Sequence, residues 1–94
     1  LDTKAAFSIA LRKLRNAKEM SQEDFSDVCS QVYMSQLECG KKNPTLSMVD
    51  SLAREMHIHP LTLLLKTYAE LEPSSSPEEL LAQALEEFKR LTKS

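Results

Sequence analysis

Glycine is almost missing from this sequence: there is one in 94 residues, beside four prolines, no tryptophan, three phenylalanines and two tyrosines. So little turn-forming glycine, with no regular alternation of apolar and polar positions, excludes an all-β design. No run approaches the roughly 18 apolar residues of a membrane span, so no membrane partner is expected. The amino terminus lacks the basic, apolar, small-residue order of a secretory leader. Because the sequence starts at Leu1, a trimmed product is expected and that lack says little. Cys29 and Cys39 are the only cysteines, too few for a disulfide framework or a zinc cluster. Reduced thiols in a cytoplasmic protein are the expectation, with Cys29 in the core and Cys39 exposed. His57 and His59 form a His-x-His, but no carboxylate or cysteine is spaced to complete a metal site. Neither a glycine-rich phosphate loop nor a nucleophile–base motif is present, so no catalytic residue, cofactor or small-molecule ligand is indicated. An excess of positive charge is absent as well, the net charge being −2. It divides unevenly: residues 1–46 hold seven basic and six acidic side chains, residues 47–94 five and eight. Phosphate binding needs a local basic patch rather than a basic total, and Arg12, Lys13, Arg15, Lys18, Lys41 and Lys42 all fall in the first half.

What the sequence does contain is helix periodicity with punctuation. Phe7, Ala10, Leu11 and Leu14 recur at three- and four-residue steps and predict a helix over Thr3–Ala17, capped by Asp2 or Thr3. Ser21, followed by Glu23 and Asp24, starts a short second helix expected to run from Gln22 to about Cys29, with Met20 and Phe25 placed as a hydrophobic staple. Ser30 caps a third, Gln31–Cys39. The lone Gly40 follows it, where a left-handed residue ends a helix. Lys41-Lys42-Asn43-Pro44 reads as a loop, since proline disfavours helix at the residue before it. Thr45 caps a fourth helix to about His57, with Leu46, Val49, Leu52, Ala53 and Met56 as its apolar stripe. Pro60 opens a fifth, to about Leu71, that is apolar around much of its circumference. Pro73 to Ser76 is a linker, and Ser76-Pro77-Glu78-Glu79 combines a cap, a first-turn proline and a capping box. The final helix carries Leu81, Ala84, Phe88 and Leu91 at 3-4-3 spacing, with Leu80 and Leu85 beside them.

The string Met20-Ser21-Gln22-Glu23-Asp24-Phe25-Ser26, continued by Ser35-Gln36-Leu37-Glu38-Cys39-Gly40-Lys41-Lys42-Asn43-Pro44-Thr45-Leu46, resembles the phage-repressor/Cro-like (XRE) helix-turn-helix family. That family's usual forms are Leu-Ser-Gln-x-x-Leu-Ala and Ile-Ser-x-Leu-Glu-x-Gly-x-x-x-Pro-x-Leu. His59-Pro60-Leu61 also resembles the start of its fifth helix. The likeness spans residues 7–65. It departs in the turn between second and third helices, which is about two residues shorter and lacks glycine, and at His57, where the family often has a helix-ending glycine. The short turn requires that the second helix end early or the interhelical angle change.

The resemblance implies an all-α fold with a five-helix lambda-repressor-like DNA-binding head over residues 1–72; the linker and sixth helix over 73–94, read from their own cap and apolar seam, are expected to serve dimerisation. It implies a sequence-specific transcriptional regulator whose partners are double-stranded operator DNA, pseudo-palindromic, and a second copy of the chain. The recognition helix would present Gln31, Val32, Ser35 and Gln36 to base edges: glutamine pairs bidentately with adenine and valine meets a thymine methyl. Gln22, Lys41, Lys42 and Asn43 would hold phosphates, and one of Arg12, Lys13 and Lys18 would join them. Arg15 and Glu38 match positions that form a structural ion pair. The dimer interface is expected to use Leu81, Leu85 and Phe88 with Leu63 or Leu64. An alternative of another class is a protein–protein module, antitoxin-like, using the same head; the acidic second half and apolar last helix motivate it. Enzymatic activity has only Cys39 and the two histidines in its favour.

Overall fold

The computed structural model describes residues 1–93. Among them are five α-helices and no strand: α1 (Thr3–Ala17), α2 (Gln31–Glu38), α3 (Leu46–Glu55), α4 (Pro60–Leu71) and α5 (Pro77–Leu91). Between α1 and α2 lies a single 3₁₀ turn, Gln22–Phe25. The expected second helix thus stops four residues short of Cys29, and the terminal helix is the fifth α-helix, not the sixth. The reason lies in the shortened connection: Val28 and Cys29 both donate to the Phe25 carbonyl, at 2.9 and 3.0 Å, and bend the chain into α2. Early ending, of the two ways to accommodate the short turn, is the one taken.

Local chemistry starts each helix. The Asp2 carboxylate accepts from the Ala5 N–H at 2.9 Å, the Ser30 hydroxyl from Tyr33 at 3.1 Å, and Thr45 from Met48 at 3.1 Å. At α4 the cap is His59, whose Nδ1 accepts from the Leu61 N–H at 3.0 Å ahead of Pro60. Ser76 and Glu79 close a reciprocal capping box at α5, with bonds of 2.8 and 3.1 Å.

Three helices end the same way. After α2 the Gly40 N–H reaches the Leu37 carbonyl at 3.3 Å and Lys41 reaches Gln36 at 2.9 Å, the paired bonds of a Schellman motif around a left-handed residue. Gly40 has φ +72°. Equivalent pairs end α1, through Glu19 at φ 57°, and α3, through His57 at φ 58°. Gly40 meets that requirement without steric penalty, whereas Glu19 and His57 hold a conformation in which Cβ crowds the carbonyl.

The core is the meeting of one face from each of α1 to α4. Phe7, Ala10 and Leu11 of α1, Phe25 of the 3₁₀ turn, Met34 and Leu37 of α2, Leu52, Ala53 and Met56 around α3, and Leu63 of α4 form one buried cluster. Cys29 packs against its edge, half-buried rather than central, and Cys39 is exposed. Leu63 requires a correction: it is fully buried, so it cannot touch a second copy of the chain. Leu64 is half-buried against the same core. An apolar helix that is oily on all sides hides in sequence which side faces inward; here Leu63 and Thr67 face in, while Leu61 and Tyr68 face out. The helix α5 has no buried residue and packs chiefly on α4. Its stand-off raises the radius of gyration to 14.1 Å, where a compact chain of this length has roughly 12 Å.

Candidate nucleic-acid interface

A buried polar network fixes the orientation of α2. Glu38, on its last turn, receives Arg15 of α1 through two bonds, Nε to Oε2 at 2.6 Å and Nη2 to Oε1 at 2.9 Å. The two side chains are only 13% and 4% exposed. The remaining guanidinium nitrogen donates to the Met20 carbonyl at 2.8 Å, tying the turn after α1 into the same group. Arg12 donates to the Glu38 backbone carbonyl at 3.0 Å, occupying an acceptor left over at the helix end. The hydrogen bonds that Arg15 donates to the Glu38 carboxylate raise its pKa above its ordinary value, against the opposing effect of burial. Among the described residues no buried side-chain nitrogen or oxygen lacks a partner.

The network continues to the candidate reading surface. Gln22 donates from Nε2 to Glu38 Oε1 at 3.1 Å and accepts the Ser35 hydroxyl proton at Oε1, at 2.9 Å. The Gln22 side chain is therefore half-buried and turned inward, leaving one amide hydrogen and the backbone N–H groups of its turn for a phosphate. Ser35 likewise directs its proton inward and retains only lone pairs for a base edge. This Gln22–Ser35 bridge was not legible in sequence, because it depends on side-chain direction rather than on spacing.

Residues at the amino end of α2 are differently placed. Gln31 is exposed and Val32 is 69% exposed. Gln36 is half-buried. Beyond Gly40, at the other end of the same helix, Lys41, Lys42 and Asn43 are exposed, and neither lysine forms an ion pair among the described residues. Of the cations on α1, Arg12 and Lys18 are exposed, while Lys13 is held 2.9 Å from Glu70 of α4. Lys66 reaches the same Glu70 oxygen at 3.1 Å. Hydrogen bonds from Lys13 and then Lys66 lower the Glu70 pKa from its ordinary value.

The remaining candidates have structural duties or stand apart. His57 ends α3 and His59 caps α4, and no group of three metal-ligating side chains occurs among the described residues. Burial raises the Cys29 thiol pKa, which disfavours the reactive thiolate. No helix is long and apolar enough to cross a membrane. Compared with known proteins, the chain matches the family model described as helix-turn-helix over residues 11–63, more than half its length. No curated protein and no solved structure matches it.

Proposed function

The chain belongs to the XRE-type helix-turn-helix family of DNA-binding regulators, and on that premise we propose that it reads a specific operator with the amino end of α2, acting as a homodimer on a pseudo-palindromic site. One observation carries the proposal: Arg15, Glu38 and Gln22 anchor the inner face of α2, while Gln31 and Val32 are left bare at its amino end. A glutamine and a branched apolar side chain next to each other suit an adenine edge and a neighbouring thymine methyl. The N–H groups and positive end of the α2 dipole lie at the same place, which favours close approach to phosphates.

Base contacts fall to Gln31 and Val32 first, with Gln36 and the Ser35 oxygen in support. Lys41, Lys42 and Asn43 hold phosphates at the flank, with the Gln22 turn contributing backbone N–H groups. A single head of this size makes few such contacts, and a dimer places two readers about one DNA turn apart with a raised local concentration of the second. Regulation then follows from occupancy of the operator. The second reading, a partner-binding module of antitoxin type, is favoured by the apolar side chains left in water on α4 and α5.

Selection of bound sequences from a random DNA pool tests the proposal. The expected product is a two-fold-symmetric motif, and Gln31→Ala relaxes one position in each half-site by about 1–3 kcal/mol. Lys42→Ala weakens every sequence alike and reduces the salt slope of the dimer by about two, one for each copy. Absence of an enriched motif, with salt-insensitive capture of a protein partner instead, favours the second reading.

A further inference from the structure

The surface of α4 and α5 is incomplete in a way that specifies its occupant. An apolar groove of about 600 Å³ runs between the two helices, bordered by Leu61, Leu65 and Tyr68 on one side and Leu81, Leu85 and Phe88 on the other. Leu61 is 65% exposed, Leu81 and Leu85 54%, Phe88 64% and Leu91 75%. With Tyr68, these side chains leave roughly 600 Å² of apolar surface in water at the 150–250 Å² that large side chains carry, the upper limit of what monomers usually expose. Doubled across a two-fold axis, that area just reaches the size of a specific interface.

Charge along α5 makes the patch complementary to itself. At 100° per residue, Leu80 and Glu87 lie on the side toward α4, where both are half-buried. Leu81, Leu85 and Phe88 lie on the open side. The margin beyond Leu85 carries Glu78 near the start of the helix and Lys89 about three turns later. Neither forms an ion pair among the described residues. The helix dipole alone explains acids at the start and bases at the end. It does not explain one acid and one base on the same margin, bracketing the exposed apolar seam.

We infer that the occupant is a second copy of the chain whose α5 lies antiparallel on the first, with the two-fold axis passing near Ala84 and Leu85. This rests on the homodimer reading above and adds its geometry. Antiparallel alignment centred there sets Leu81 opposite Phe88 of the second copy and Ala84 opposite Leu85. The small Ala84 lets the helices approach closely at the crossing. Glu78 then meets Lys89 of the second copy, and symmetry forms that pair twice. A parallel two-fold pair would instead put this margin of the two copies on opposite sides of the seam, so that Glu78 and Lys89 would not meet. The area is at the lower limit for a specific interface, and DNA that seats two heads side by side favours the same pairing.

Sedimentation equilibrium of the full chain at low salt, with charge-exchanged variants, tests this. The expected result is a reversible dimer of the wild type. Glu78→Lys and Lys89→Glu each raise its dissociation constant roughly ten-fold, each change acting at two sites, and the double exchange Glu78→Lys/Lys89→Glu restores it. Circular dichroism of each variant checks that the helices persist. A dimer indifferent to all three substitutions overturns the antiparallel pairing while leaving the homodimer standing. A wild type that remains monomeric at every concentration, free and on DNA, overturns both.

Discussion

Replacing Glu38 by alanine removes the acceptor of three hydrogen bonds at once, two from Arg15 and one from Gln22. What remains is an Arg15 side chain 13% exposed whose only other partner among the described residues is the Met20 carbonyl. Breaking a buried pair by removing one member typically costs about 3–5 kcal/mol, since the surviving charge has neither water nor a counter-ion. The residual bond to Met20 and the partial exposure of Arg15 place this case at the lower end, about 3 kcal/mol. A chain of this length has a total stability of roughly 5–14 kcal/mol, so the loss is a large fraction of it. Urea unfolding followed by circular dichroism at 222 nm reads it directly, as a lowered midpoint at unchanged slope. In a thermal scan it corresponds to a fall of roughly 12–24 °C. The reasoning also fixes a second variant. Arg15→Met/Glu38→Leu replaces both charges with apolar side chains of similar length, and its stability lies within about 1 kcal/mol of the wild type. A Glu38→Ala variant within 1 kcal/mol of the wild type, or a double variant less stable than the single one, would refute this account of how α2 is held.

Glu19→Gly and His57→Gly each relieve a left-handed non-glycine residue, and each raises stability by about 1 kcal/mol in the same urea assay, after the larger chain entropy of glycine is set against the relief. Gly40→Ala lowers it by about 1–2 kcal/mol. A Cβ there meets its nearest atom at 3.7 Å, ordinary contact, so the penalty comes from φ rather than from space. Glu70→Gln tests the α1–α4 tie through pH. The folded-state pKa of Glu70 is lowered below 4.5, so its contribution is present above the unfolded pKa and lost as pH falls through the lowered value. The stability gap between wild type and variant therefore closes as the solution is acidified from the unfolded-state pKa through the lowered folded-state one, and a gap independent of pH would contradict the tie.

Short-range chemistry was legible in the sequence and long-range choice was not. Asp2, Ser30, Thr45 and Ser76 announce helix starts because a cap acts on an N–H only two or three residues away. Gly40 and Pro60 are legible for the same reason. Glu19 was not, since glutamate carries no signal for the left-handed region and only the Schellman bonds of α1 place it there. The segment after Ser21 has a good start signal but no stop signal, so its collapse to one 3₁₀ turn had to come from the demands of the short connection to α2. On α4 the leucines outnumber the positions that can face inward, so periodicity does not single out Leu63, which packing claims for the core. The Arg15–Glu38 pair followed from resemblance rather than from spacing, and Gln22, expected to face phosphate, is largely occupied inside.

Backbone amide shifts of the labelled protein, followed by NMR as selected operator DNA is added, test the central claim most directly. The account predicts that the largest changes fall on Ser30 to Gln36 and on Lys41 to Asn43, with α3 nearly unmoved. Changes confined to α4 and α5, with the amino end of α2 undisturbed, would contradict it.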